Sequence, residues 1–307
     1  MRFRKIVLIA VFSIGTIPFG NVLDAQDLGH ELPGTIGLDA GRVPEPGLYV
    51  VNRIVSYRSD ELHDRIGHVL PIDAFRLRAF ANTTGISYAF KLSPDGPVIS
   101  MTAAAPLARL RISAERLEAG VDRFGLADIF IEPARLGWRK PRYSVVASYG
   151  FFLPTGSSIL AGGTGLSSGR ITHEFSAGGT IFADTDHSAF ITAVASYNLN
   201  QRNRHIDITR GDNVQVQGGL GVMRFNRALE AGLAFYWLRQ VRADRGPDLP
   251  PALSGLRDRV YGLGPEVAVT MKSIRSQARV RYEWDLGAQA RPSGNILVIT
   301  YGLIAHR

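Results

Sequence analysis

Residues 276–287, SQARVRYEWDLG, alternate two residue classes: Ala278, Val280, Tyr282, Trp284 and Leu286 take one parity, and Gln277, Arg279, Arg281, Glu283 and Asp285 take the other. Successive side chains of a β-strand point to opposite faces, so this strand has one apolar face and one ionised face. A soluble sandwich could supply that contrast for a single strand. Recurrence decides otherwise. Strands of about ten residues with a weaker form of the same alternation fill most of the chain, which is the pattern of a transmembrane antiparallel β-barrel, apolar residues toward lipid and polar ones toward the lumen.

The N-terminus fits export. Arg2, Arg4 and Lys5 precede an apolar run over 6–19, and Leu23, Asp24 and Ala25 precede Gln26, so residues 1–25 read as a secretory signal cleaved after Ala25. That run is too short for a membrane helix, and no later run reaches about 18 apolar residues. With 33 glycines, 45% hydrophobic residues and no cysteine, the composition suits many strands and tight turns without disulfides. The formal charge of +8 falls to +6 when the signal takes away three positive charges and one negative. Only Lys5, Lys91, Lys140 and Lys272 are lysine. Arginine carries the rest, and its fork matches phosphate geometry. In an exported chain, lipopolysaccharide phosphates are the expected partner, and nucleic acid is not.

Residues 26–46, rich in Gly and Pro, read as an irregular periplasmic leader, an unstructured tail in preference to a plug tucked into the barrel. The barrel then spans 47–307. Between 73 and 92 the apolar phase flips, from Phe75, Leu77, Ala79 and Ala81 on odd numbers to Ile86, Tyr88 and Phe90 on even numbers. Two strands joined at 82–85 would explain the flip, and so would one strand carrying a β-bulge. Later in the chain, long segments (154–169, 201–213, 241–258, 287–293) alternate with short ones (137–141, 184–186, 226–227, 272–274). Long loops of such barrels are extracellular and short turns periplasmic. Both termini fall in the periplasm only if 73–92 is one strand, with the turn at 93–96, which brings the total to about twelve strands.

The run 124–155, FGLADIFIEPARLGWRKPRYSVVASYGFFLPT, then resembles a known family. Gly125, Asp128 and Pro133 make a G-x-x-D-x-x-x-x-P block like that family's, and Pro154, Thr155 and Gly156 match the Pro-Thr-Gly end of the hairpin that follows it. Asn203 after an S-Y-N strand, and Leu263, Gly264 and Pro265, are further echoes. The resemblance, covering roughly 47–305, is to the "putative MetA-pathway of phenol degradation" family, predicted outer-membrane transporters. It implies movement of aromatic or other hydrophobic compounds across the outer membrane. The C-terminal Ile304, Ala305, His306 and Arg307 depart from the aromatic residue on which barrels usually end.

Catalytic chemistry finds little support. His63, His68, His173, His187 and His205 scatter without metal-ligand spacing, and the glycine-rich 163–169 lacks dinucleotide-loop spacing. A lipid-acting barrel enzyme would need a pairing such as Ser176 with His173 or Ser196 with His187. Arg210-Gly211-Asp212 spells an adhesion tripeptide, for which a loop turn is explanation enough. The rim arginines Arg109, Arg111, Arg116, Arg202, Arg204, Arg242, Arg245, Arg257 and Arg259 form either a solvated edge or a collar for lipopolysaccharide phosphates. The lumen candidates are Arg76, Arg78, Asp128, Glu132, Glu266, Arg279, Arg281, Glu283 and Asp285, which either set the field of an open pore or pair across a closed interior.

The sequence therefore reads as an outer-membrane barrel, not an enzyme, passing small hydrophobic or aromatic solutes by passive diffusion, with no cofactor or metal. Its partners are outer-membrane lipid and lipopolysaccharide, the barrel-assembly machinery, and the solute. On intact cells, an impermeant thiol reagent should label Asp244→Cys and leave Asp95→Cys unlabelled; equal labelling would overturn the topology.

Overall fold

The strands of the computed structural model close on themselves. It describes residues 30, 32–115, 120–156 and 166–306. The expected signal peptide, Arg116 and residues 163–165 of the glycine-rich loop lie outside the described residues. Thirteen strands follow in order: β1 Gly47–Leu62, β2 Arg76–Lys91, β3 Val98–Ser113, β4 Val121–Leu126, β5 Ile129–Lys140, β6 Tyr143–Leu153, β7 Thr172–Phe182, β8 Ala189–Asn200, β9 Asn213–Arg224, β10 Leu229–Gln240, β11 Arg259–Met271, β12 Ser276–Gln289 and β13 Pro292–His306. Both β4 and β5 pair with β3, one above the other, and together make a single barrel strand interrupted at Ala127 and Asp128. With that union there are twelve antiparallel strands, and β1 closes the ring on β13. Closure leaves no unpaired edge for lipid to desolvate. Among the described residues no helix is long and apolar enough to cross a membrane.

Parity sorts the two faces as the alternation requires. On β12, Arg279, Arg281 and Glu283 are 5%, 2% and 0% exposed, while Val280, Tyr282 and Trp284 between them are 49%, 36% and 44% exposed. Isolated polar groups on the outer wall satisfy one another. Asn52 Nδ2 donates to Asn82 Oδ1 at 2.6 Å and to Thr84 Oγ1 at 3.1 Å across β1 and β2.

Residues 82–85 lie within β2, so 73–92 contributes one strand. No bulge is present, because β2 keeps continuous register with both neighbours. The phase flip has another cause. Leu77 and Ala79, with Ala81, belong to the interior cluster that also holds Tyr236 from the far wall and Val298 from β13, two strands away, and the outer wall at that height carries Arg76 and Arg78 instead. The apolar side chains have changed face because the interior, not the lipid, is the apolar medium there.

Short turns over 92–97, 141–142, 183–188, 225–228 and 272–275 occupy one end, and the longer segments the other. The expected long loop over 287–293 is a two-residue turn, since β12 continues to Gln289 and β13 starts at Pro292. In the turn after β7 the Ser188 hydroxyl and amide bond to Asp184 and hold its carboxyl below the usual range.

Val280→Arg places a charge on the lipid face. It should destabilise the barrel by roughly 2 to 4 kcal/mol if Val280 lies near the midplane, read by equilibrium urea unfolding in vesicles, with Val280→Leu close to neutral.

Candidate functional site

The leader is inside the barrel. At the periplasmic end Arg139 binds the Val43 carbonyl and Glu45. Further up, the Gly41 amide donates to Thr192 Oγ1 at 2.8 Å, and Ser144 Oγ donates to the Gly41 carbonyl at 2.8 Å. The Leu38 amide then donates to Glu266 at 3.1 Å, the Gly34 amide to Gln217 at 3.0 Å, and His30 meets Asp128 at 3.0 Å. These partners climb the inner wall, so the segment threads the lumen from the periplasmic end to its extracellular third. The expected tail is thus a lumen element, held because its backbone amides find buried carboxylate and amide acceptors where water is excluded. Glycine makes the fit possible. Gly37 has a φ of +62°, and a Cβ there would lie 1.7 Å from Arg281 Nη1.

Where the leader crosses β10 to β12, buried charges knit it to the wall. Arg279 bonds to Asp39 at 2.8 Å, to Glu230 at 3.0 Å and also to Glu266. Arg281 lies 2.9 Å from Glu266 and 3.0 Å from Glu283, and Arg42 lies 2.6 Å from Glu230. Opposed charges at these distances offset their desolvation only as a set, so removing one member costs about 3 to 5 kcal/mol. Of the two expectations for these groups, the structure pairs them, and it enlists two residues of the leader, Asp39 and Arg42, to do so. Asp285 belongs to a neighbouring set, accepting from Tyr57 Oη at 2.8 Å, from Tyr236 Oη and from the Gly294 amide at 2.7 Å.

The opposite wall is different in kind. A cavity of about 1300 Å³ runs along β1 to β5 and is bounded on its other side by the leader and by residues of β7, β8, β11 to β13 and the extracellular loops. Along β1 to β3 its upper lining is Val55, Leu77, Ala79, Ala81, Ala108 and Leu110; below these Arg53, Thr83 and Pro106 stand in register, then Val51, Gly85 and Ala104, and lower still Ser87, Ser100 and Thr102. Apart from Arg53, the side chains of β1 to β3 that line it are uncharged and mostly small, and they leave the space that the ion network fills on the other side. Glu132 and Arg135 face this lumen low on β5, 3.9 Å apart. Arg76 and Arg78 do not. Their even-numbered positions put them on the outer wall, where Arg78 binds the exposed Asp60 at 2.7 Å. The alternation of β2 already held this answer, since the inward parity is the one that carries Ser87, Thr83 and Gly85.

At the top of the cavity, Asp128 ties three segments together. Its Oδ1 accepts from the Gly156 amide at 3.2 Å, and its Oδ2 accepts from the Ser168 amide and hydroxyl, both at 2.9 Å, while facing His30 Nδ1. Thr155 Oγ1 accepts from the Ile129 amide at 3.0 Å and donates to the Ala127 carbonyl. Hence the strand break, the ends of the 154–171 loop and the leader meet at one carboxylate.

The family model described as "Putative MetA-pathway of phenol degradation" matches residues 59–301. The chain belongs to this family. No curated protein matches it by sequence. Among solved structures, the COG4313 outer membrane channel from Pseudomonas putida F1 superposes with a TM-score of 0.75 at 13% identity, covering 86% of this chain and 97% of that one. The beta domain of the Bordetella autotransporter BrkA gives 0.53 at 10% identity over 85% and 100%. The chain is an outer-membrane β-barrel.

The family's motif blocks now have a physical reading. Asp128 sits at the first irregularity of its strand and Pro133 at the second, where the register with β6 shifts between Ile131 and Ala134. The block Pro154-Thr155-Gly156 closes on the first of them through Asp128. Gly264 permits close strand approach, because a Cβ there would lie 1.9 Å from the Tyr282 carbonyl oxygen.

The rival catalytic pairings are not assembled. Ser176 faces the lumen and bonds to Ser148, while His173 is on the outer face with Tyr149. Ser196 lines the cavity, and His187 stacks on Phe182 in the periplasmic turn. His30, Ser168 and Asp128 do meet: the Ser168 hydroxyl lies 2.9 Å from the carboxylate oxygen that holds the imidazole and 3.1 Å from His30 Nε2, and that same Nε2 lies 2.7 Å from Thr172 Oγ1. That arrangement clamps the leader, because His30 is held from both sides by Asp128 and Thr172. Arg210 and Asp212 of the adhesion-like tripeptide are engaged with Asp258 and Arg242 in loop contacts.

Gly37→Val strains the backbone and drives a side chain into Arg281, at a cost on the order of the 3 to 5 kcal/mol held by the ion network. The leader should leave the lumen and single-channel conductance in planar bilayers should rise, the barrel remaining heat-modifiable; unchanged conductance would show that the leader does not obstruct the pore.

Proposed function

We propose that the protein is an outer-membrane channel carrying small hydrophobic or aromatic compounds toward the periplasm by passive diffusion. One observation carries this reading: the lumen is divided lengthwise, with the charged residues of β10 to β12 neutralised against the leader and the upper wall of β1 to β3 lined by alanine, valine, leucine and isoleucine, beneath a rim that includes Asp128, Arg170 and Arg210. An apolar solute exchanges water for this lining at about 25 cal/mol per Å² of surface buried. A hydrated ion or a sugar gains nothing comparable there and loses water. Family membership and the barrel fold support the same assignment, and the family's description supplies phenolic compounds as the substrate class to try first.

Vesicles carrying the protein should admit phenol or toluate-sized aromatics faster than sugars of equal mass. Ala81→Arg and Ala108→Arg each place a charge in the apolar lane, and each should cut aromatic uptake by about tenfold or more, given a penalty of more than 1.4 kcal/mol, while the folded barrel persists in detergent. If sugar and aromatic fluxes are equal, and fall together in both variants, the proposal fails.

A further inference from the structure

The outer wall carries an arginine row whose cost the fold leaves uncompensated. Arg58, Arg78 and Arg111 stand directly opposite one another on β1, β2 and β3. Like charges placed opposite across strands destabilise a sheet. Arg76 and Arg109 flank the row; Arg78 is half-buried and the other four are exposed. Two carboxylates answer them: Asp60 binds Arg78 at 2.7 Å, and Asp122 binds Arg109 at 2.7 Å and Arg111 at 3.1 Å. Glu61, nearby, faces His63 at 3.5 Å. Arg58 and Arg76 have no ion-pair partner among the described residues. The ridge therefore keeps an excess of positive charge on a face turned away from the lumen.

Its height identifies what lies against it. From Tyr88 to Arg78 on the same outer face of β2, a strand rises roughly 33 Å, which at a tilt near 40° is about 25 Å along the membrane normal. That equals the height of the apolar band of such barrels. With Tyr88 at the inner boundary, the arginines reach the headgroup level of the outer leaflet. Immediately below them on the same wall, Phe80, Leu107 and Phe124 are 44%, 50% and 69% exposed, a surface suited to acyl chains.

We propose that this ridge binds a phosphorylated lipid of the outer leaflet, its phosphates on Arg58, Arg76, Arg78 and Arg111 and its acyl chains on Phe80, Leu107 and Phe124. Guanidinium forks take phosphate oxygens bidentately, and the added anions relieve the repulsion along the row.

The test is native mass spectrometry of the full barrel in detergent, titrated with a diphosphorylated, multiply acylated glucosamine disaccharide (lipid A). Three controls accompany it: the same lipid without phosphates, inorganic phosphate as competitor, and Arg224→Gln/Arg227→Gln, which removes equal charge at the periplasmic turn. Arg58→Gln/Arg76→Gln leaves every ion pair of the wall intact. It should weaken lipid A binding about tenfold or more, with the periplasmic variant binding like the parent and the dephosphorylated lipid binding poorly to all. Equal loss in both variants, equal binding of the dephosphorylated lipid, or full displacement by millimolar inorganic phosphate would each overturn the proposal. None of these readings involves transport, so they stand or fall apart from the channel assignment.

Discussion

Every feature of this molecule follows from the need to pair backbone amides and carbonyls where no water can. The pairing of β1 with β13, from Leu48 with His306 to Leu62 with Pro292, removes the last open edge. Once the sheet is closed, alternate residues must face two different media, and the assignment of each side chain is a matter of parity. The same rule governs the interior. The leader is irregular backbone inside the membrane, and it is tolerated because Gln217, Glu266, Thr192 and Ser144 take up its amides and carbonyls.

Dividing the lumen solves two problems together. Buried arginines and glutamates on β10 to β12 would be costly as an unpaired set, and an irregular leader would be costly as unpaired backbone. Pressed together, each satisfies the other through Asp39 and Arg42. The upper part of β1 to β3 is then left with apolar inner side chains, and the cavity lies against them. Asp128 is the junction of the two halves, since it grips the leader through His30 and the extracellular loop through Gly156 and Ser168.

The outer surface shows that a barrel is not uniform around its circumference. The wall made by β1 to β4 rises into an arginine ridge over aromatic and aliphatic side chains. A protein selected for stability alone would not set Arg58, Arg78 and Arg111 side by side. The arrangement makes physical sense at the boundary between acyl chains and anionic headgroups.

Much of this was legible in residues 276–287, because a strict two-residue period with ionised and apolar classes has few structural solutions. The strand number, the single strand across 82–85 and the family came from that period, from the spacing of loops, and from Gly125, Asp128, Pro133 and the block at 154–156. Two things were not legible. The Gly and Pro content of 26–46 describes a chain without regular structure and is silent about where that chain lies; only its hydrogen-bond partners on β5, β6, β8, β9 and β11 decide it. Likewise Leu77 and Arg78 alternate as well in one phase as in the other, since period two fixes that neighbours face opposite ways and not which way either faces. The medium on each side of the wall settles that choice, and at the extracellular end the apolar medium is the lumen. Local pattern determined the barrel, and tertiary contact alone determined what fills it.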